Sequence, residues 1–282
     1  MEDNKSRKLS LITEIILFLI IVFITVLVFT SLSDQVVNAD SIASKLTNVD
    51  GTQYENRNFI KKIKEEFGIN ISYGSSTMSL AKKFDANIQE NENIVNNNLK
   101  IIYESLSKYP KDVFYMCKSK KYPLNIVIFS DFNTDDIALA AKNSLNEFTI
   151  YLSNNEKLQR SINHEMYHVL EYYMQDTKKN LYSDWKDLNL QGVSYTGDVK
   201  NLNSDYVFDN NNVYNENTCF VTKYSKYSES EDRAEIFAEL MMAKEKPKFL
   251  SSKYILEKSK CIANAINSNI TSEKFHFNQF LE

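Results

Sequence analysis

The sequence predicts an α+β fold, and three observations lead there. Helical spacing of apolar residues dominates the chain from residue 54 to about 108 and again from 155 onward. Between them, "LNIVIFS" (124–130) and "EFTIYLS" (147–153) are short, rich in β-branched and aromatic residues, and bounded by Asn, Asp and Ser, which marks them as strands. The order of helices, then two or more strands, then helices lacks the regular alternation of a parallel α/β sheet. At 282 residues, 43% hydrophobic and 25% charged, the chain suits one domain of good size or two small ones.

The N-terminus comes first. "MEDNKSRK" carries Lys5, Arg7 and Lys8, and Ile15 to Leu32 then run for 18 residues without a charge. That length is the lower limit for a membrane-spanning helix, at about 18–20 residues. Basic residues before the run, with Asp34 and Asp40 after it, favour a single pass with the N-terminus inside and the bulk of the chain outside. The alternative is a long secretory signal, with Val37-Asn38-Ala39 as a small-residue cleavage site. Either reading places residues 40–282 outside the cytoplasm, in the membrane-anchored or the secreted form.

Residues 33–53 are polar and mixed, a linker between the signal or anchor segment (1–32) and the domain expected over 54–282. "YENRNFIKKIKEEF" (54–67) has helical spacing and stops at Gly68. Residues 77–108 read as one or two helices, and 155–175 as another. Residues 176–223 are Asn- and Asp-rich with little periodicity, so a long excursion is expected there. Residues 229–244 are strongly helical and 249–267 form a last helix.

Composition excludes some functions. A net charge of −4 gives no case for nucleic-acid binding. Five glycines and three prolines leave no glycine-rich phosphate loop and no proline-rich linker. Cys117, Cys219 and Cys261 are too few and too scattered for a zinc cluster; an oxidising compartment would permit one disulfide and leave one thiol.

The chemistry concentrates in "SINHEMYHVLE" (161–171). Four residues of helix advance the chain by about 400°, so His164 and His168 lie about 40° apart on one face and can converge on one ion. Glu165 can lean toward a water in the open position. This is the H-E-x-x-H arrangement, two zinc ligands and a general base. Two of only three histidines occupy it. Ile162, Met166, Val169, Leu170 and Tyr173 are available for the core side, and the strand at 147–153 fits an edge to which a peptide could add.

A catalytic zinc needs a third protein ligand in most cases. The continuation with Gly and a third His fails, because the chain has Glu171 and Met174 at those places. His276, among phenylalanines in the C-terminal tail, is a bystander. The segment "TKYSKYSESEDRAEIFAELMM" (222–242) is the better source. Glu231 and Glu235 lie one turn apart on one face, so the first could bind metal and the second could bond the far nitrogen of a ligand histidine. Glu239 continues that face and leaves open a rival register, with Glu235 as ligand and Glu239 behind it. Ala234, Phe237, Leu240 and Met241 give this helix an apolar side.

Together the two segments resemble the peptidase domain of anthrax lethal factor and the secreted Pro-Pro endopeptidases. In that group a tyrosine precedes a glutamate ligand by seven residues, a second glutamate follows four later, and Ala and Phe flank it. Tyr224, Glu231, Ala234, Glu235 and Phe237 have that ungapped spacing. The resemblance implies a zincin-like domain, a small mixed sheet packed on the H-E-x-x-H helix and a second Glu-bearing helix. It implies one Zn²⁺ held by His164, His168 and Glu231, with Glu165 as base, Glu235 behind a ligand histidine, and Tyr224 donating to the oxyanion. The match covers about residues 145–245. The longer gap between His168 and Glu231, and Asp232-Arg233 in place of an aromatic pair, depart from the pattern.

The expected function is therefore extracytoplasmic zinc-dependent endopeptidase, acting on a protein or peptide laid along 147–153. The alternative is a membrane-anchored, inactive zincin-fold binding protein. Retention of Glu165 argues against the alternative, because a metal-binding relic needs no base.

Overall fold

The computed structural model describes residues 51–282, apart from 120, 135–137, 144–145, 179–180 and 210–215. The expected membrane or signal segment and most of the expected linker lie outside the described residues. Among the described residues, no helix is long and apolar enough to cross a membrane.

Helix α1 (Gly51–Phe67) begins three residues before the predicted start and ends at Gly68. Gly68 has φ +75°, its amide donates to Lys64 O at 2.9 Å, and a Cβ there would lie 3.0 Å from the Lys118 backbone nitrogen. Left-handed backbone and close approach both call for glycine.

The chain then makes β1 (Asn70–Tyr73), the short α2 (Met78–Lys83) and β2 (Ala86–Ile88). Helix α3 (Glu92–Leu106) starts where the Asn91 side chain accepts from the amides of Asn93 and Ile94, an N-cap. The stretch expected to be one or two helices thus contains two helices with a strand between them. The four-residue α4 (Tyr115–Lys118) leads to the central strand β3 (Leu124–Phe132). Next come β4 (Ala138–Lys142), β5 (Phe148–Ser153) and the long α5 (Leu158–Thr177).

The sheet has five strands in the order β1-β3-β5-β4, with β2 beside the upper half of β3. The pairs β1/β3 and β3/β5 are parallel; β4 is antiparallel to β5, with Ala140 opposite Ile150. This corrects one expectation. The strand at 147–153 is interior, paired to β3 on one side and β4 on the other, so it is no edge. The edge on that side of the sheet is β4, whose residues are all half-buried.

Alternation along the strands sorts the side chains by face. Leu124, Ile126, Ile128, Phe148, Ile150 and Leu152 enter the main core with α3 and α5. Val127, Phe129 and Tyr151 face the other way, under Ala81 of α2.

Among its described residues, the excursion after α5 contains short 3₁₀ turns (Trp185–Leu188 and Val199–Asn201) and one isolated bridge, Val207 to Phe220. It leads into α6 (Glu229–Met242) and α7 (Lys253–Asn269). Residues 249–251, expected to open the last helix, form a separate 3₁₀ turn. Residues Thr52–Glu282 make one compact unit.

Candidate metal centre

Two helices present the chemistry. Helix α5 buries Ile162, Met166, Val169 and Leu170 at 0–1% exposure, while Tyr173 packs partly buried against the same core. Helix α6 begins at Ser228, whose hydroxyl accepts from the amide of Glu231, and Glu229, Glu231 and Asp232 fill its first turn. Acidic residues at a helix start are favoured by the helix dipole. Ala234, Phe237, Leu240 and Met241 are buried at 0–1% exposure. Each of the larger ones contributes about 1.5–3 kcal/mol on burial. Buried ion pairs net little, so apolar packing holds α6 against α5, and that packing turns its acidic face toward the histidines.

His164 Nε2 lies 2.9 Å from Glu231 Oε2 and 3.2 Å from His168 Nε2, and His168 Nε2 lies 3.4 Å from the same Glu231 oxygen. Three acceptor-type atoms form a nearly equilateral triangle. Tetrahedral ligands on bonds of about 2.0–2.1 Å stand about 3.3 Å apart, so the triangle fits the donor set of a zinc ion. Two neutral ring nitrogens facing each other at 3.2 Å can share at most one proton, which leaves a lone pair aimed at the common centre.

The remaining residues fall into place around the triangle. Glu235 Oε1 lies 2.8 Å from His164 Nδ1, the far side of that ring. Its other oxygen receives Arg160 at 2.5 Å and the Thr222 hydroxyl. Glu239 binds Arg160 Nε at 2.7 Å and stands outside the triangle, in which Glu231, not Glu235, faces the two histidine Nε2 atoms. Tyr224 opens a 3₁₀ turn (Tyr224–Lys226) that Thr222 and Ser225 brace with mutual hydrogen bonds. Its ring stands 6.0 Å from that of His164 and stacks at 5° on Tyr227. His276 Nε2 donates to Ala243 O, 3.2 Å away, just past the end of α6, and is outside the cluster. The three cysteines are free, so the disulfide considered from the sequence is not formed.

With side chains alone, the charges speak to one another. Burial opposes a charged His164, but hydrogen bonds to Glu231 and Glu235, aided by the charges of Glu165 and Glu235, raise its pKa to about 10. Burial likewise opposes an ionised Glu231, yet its bonds from His164 and His168 lower it to about 2. Glu235 falls to about 2 through His164 and Arg160, again against burial. Burial raises Glu165; the two histidines and the amide of Ala140 in β4 pull the other way. Burial, then the charges of Glu231, Glu165 and Glu235, raise Tyr224, so its phenol keeps its proton at neutral pH.

Several contributors were not singled out from the sequence. Arg160 and Thr222 hold Glu235. Ser230 Oγ bonds Glu171 at 2.7 Å and lies 3.4 Å from His168 Nδ1. Arg233 Nε donates to the other Glu171 oxygen. Spacing offered one signal: Glu171 follows His164 by seven and His168 by three, on the same face.

No family model and no curated protein matches the sequence. A solved structure does resemble it: "a putative zinc-binding metallo-peptidase from Bacteroides caccae", with a TM-score of 0.54 and 13% identity over 83% of this chain and 92% of that one. At that identity the likeness is one of fold. The chain has a mixed α+β fold like that metallo-peptidase, and among its described residues His164, His168 and Glu231 form a possible metal site.

Proposed function

We propose that the chain is a zinc-dependent endopeptidase exposed outside the cytoplasm, anchored or secreted through residues 1–32. The observation that carries the reading is the triangle of His164, His168 and Glu231, spaced at 2.9–3.4 Å as a tetrahedral cation requires. His164, His168 and Glu231 would hold the ion. Zinc so held supplies a Lewis acid for the scissile carbonyl and makes a water in its open position acidic near neutral pH.

The chain's own residues do the rest. Glu165, buried on α5 with its pKa raised, takes a proton from the attacking water and can pass it to the leaving amine. Tyr224, protonated and partly exposed beside His164, donates its hydroxyl to the developing oxyanion. Glu235 orients His164 through Nδ1. The substrate is an extended peptide that adds to β4 by backbone pairing rather than to 147–153, since β4 is the edge beside β5 and its Ala140 amide faces Glu165. The resemblance of the two motif segments to the lethal factor and Pro-Pro endopeptidase group supports these roles; no Pro-Pro preference is carried over.

The test is metal content together with cleavage of a peptide library. The wild type should carry one zinc per chain. Glu165→Gln should keep it and lose about 10²–10⁴-fold in cleavage rate. Equal cleavage by Glu165→Gln would overturn the mechanism. Stoichiometric zinc with no Glu165-dependent cleavage of any peptide would favour the anchored binding protein.

A further inference from the structure

We propose that Ser230 and Glu171 are positioning residues for His168, setting its tautomer so that Nε2 is free for the cation. The proposal rests on the zinc reading above and extends it to the half of the site that Glu235 does not reach.

The two histidines are supported differently. His164 has a carboxylate directly behind it, Glu235 at 2.8 Å from Nδ1, with Arg160 at 2.5 Å behind that. His168 has no carboxylate of its own at that distance. Behind its Nδ1 stands the Ser230 hydroxyl at 3.4 Å, and behind Ser230 stands Glu171 at 2.7 Å. Arg233 closes the series on the second Glu171 oxygen. Each ligand histidine is thus backed by a glutamate and an arginine, and for His168 a serine is inserted as a spacer.

Proton counting gives the serine its role. A hydroxyl has one proton to donate. Both Glu171 oxygens are acceptors, one taken by Arg233, so the Ser230 proton goes to the other. The Ser230 oxygen can then only accept on the side of His168, and the group it faces is Nδ1. Nδ1 must carry the ring proton, and Nε2 is left with its lone pair pointing at Glu231 and His164. The contact at 3.4 Å is long, and a metal drawing on Nε2 makes Nδ1–H a stronger donor.

The series is rigid. Glu171 and Arg233 side chains are 5% and 6% exposed. The Arg233 guanidinium lies over Tyr182 at 4.5 Å and over Trp185 at 5.2 Å, both in the excursion after α5. Arginine suits this place because its fork can bond the carboxylate while its plane rests on rings. Ser230 is the neighbour of Glu231, so the residue that orients His168 travels with the residue that shares its metal. A shift of α6 would disturb both at once.

The experiment uses the full chain and two metals, zinc and cobalt(II). Ser230→Ala should bind zinc about 10- to 100-fold more weakly in chelator competition. Its cobalt(II) complex should show a changed visible absorption, since the ring can rotate or switch tautomer. Ser230→Thr keeps the hydroxyl and should restore both the affinity and the spectrum. Glu171→Gln should weaken zinc in the same direction, because an amide can donate to Ser230 and reverse its hydroxyl. Ser230→Ala with wild-type zinc affinity and an unchanged cobalt spectrum overturns the proposal, as does an equal loss in Ser230→Thr. If the wild type itself holds no zinc, the proposed function falls, and this inference with it.

Discussion

Replacing Lys258 by methionine removes a charge that lies wholly inside the protein. Lys258 Nζ meets Asp232 Oδ2 at 2.6 Å, and both side chains are 0% exposed. Nζ also donates to Cys219 O at 2.9 Å. Asp232 Oδ2 accepts in addition from Tyr195 at 2.8 Å and from Trp185 at 3.2 Å. Lys258→Met would leave Asp232 buried with neutral donors only. Breaking a buried pair on one side costs about 3–5 kcal/mol, and the two neutral donors place this case near the lower figure. At about 2–4 °C per kcal/mol for a domain of this size, the melting point should fall by about 6–12 °C. The double variant Lys258→Met/Asp232→Leu removes the stranded charge, and Trp185 keeps Tyr195 as a partner at 2.9 Å. What remains is the Cys219 carbonyl without its donor, a loss of about 1–3 kcal/mol, and the Tyr195 hydroxyl without its acceptor, a smaller loss because Tyr195 is only half-buried and water can replace Asp232. The double variant should therefore be more stable than Lys258→Met alone. Urea unfolding of the metal-free protein measures all three. A loss under about 1 kcal/mol for Lys258→Met, or a double variant no better than the single, refutes the view that this pair is a buried charge in need of its partner.

Two further outcomes can be checked with standard assays. Ala140→Pro removes the edge amide that faces Glu165 and should lower kcat/KM on peptides by about tenfold or more, the worth of a hydrogen bond to a charged group. Zinc content should not change, whereas Thr149→Pro, placed in the doubly paired β5, should prevent folding; normal turnover in Ala140→Pro would show that the Ala140 amide serves neither Glu165 nor a paired substrate strand. The metal-free protein should be most stable between about pH 4.5 and 6.5, by linkage. His164 is raised from 6.5 to about 10, so its contribution is complete below 6.5 and is lost as the pH climbs toward 10. Glu231 and Glu235 are lowered from 4.5 to about 2, so theirs is present above 4.5 and is lost on the way down to 2. Denaturation across pH 4–10 after chelator treatment would show it, and stability rising from pH 6.5 to 9 would contradict the assignment.

The site was more legible than the fold, for a physical reason. Histidines at i and i+4 on one helix must share a face, so the spacing alone placed His164 and His168 together. Glu231 is at N3 of a helix that Ser228 caps in the structure, which fixes it one turn before Glu235 on the face the spacing predicted. The edge strand was not legible. "ALAAK" (138–142) has neither β-branched nor aromatic residues, and only pairing to β5 makes it a strand. The error about 147–153 follows from it: a strand looks like an edge when its neighbour is invisible. Likewise "NISY" and "ANI" are too short to show a period of two, so β1 and β2 were missed. Asp232 and Arg233 appeared in the sequence only as a departure from an aromatic pair. In the structure each is a buried charge with a partner brought by distant chain, Lys258 from α7 and Glu171 from α5. Pairing across such distances has no local signature.

Arg233 also bears on the dication that the proposed function assigns to this site. Around the triangle stand four buried or nearly buried carboxylates, Glu165, Glu171, Glu231 and Glu235, and two arginines, Arg160 and Arg233. Each arginine is already committed, Arg160 to Glu235 and to the more exposed Glu239, and Arg233 to Glu171. Glu231 and Glu165 are left without a fixed positive partner, an excess of two negative charges in a low-dielectric place. With side chains alone the structure answers by protonating His164, whose pKa rises to about 10, and by raising Glu165. A proton on His164 is a poor answer, because it occupies one of the nitrogens the triangle aligns. On the proposed zinc reading, a divalent cation would offset both carboxylates and would let His164 keep its Nδ1 proton on Glu235, with Nε2 left for the ion. The same count explains the arginines: without them the excess would be four, more than one zinc ion offsets. Arg160 and Arg233, behind Glu235 and Glu171, thus leave the site a net charge that suits a dication, the ion the proposed function calls for.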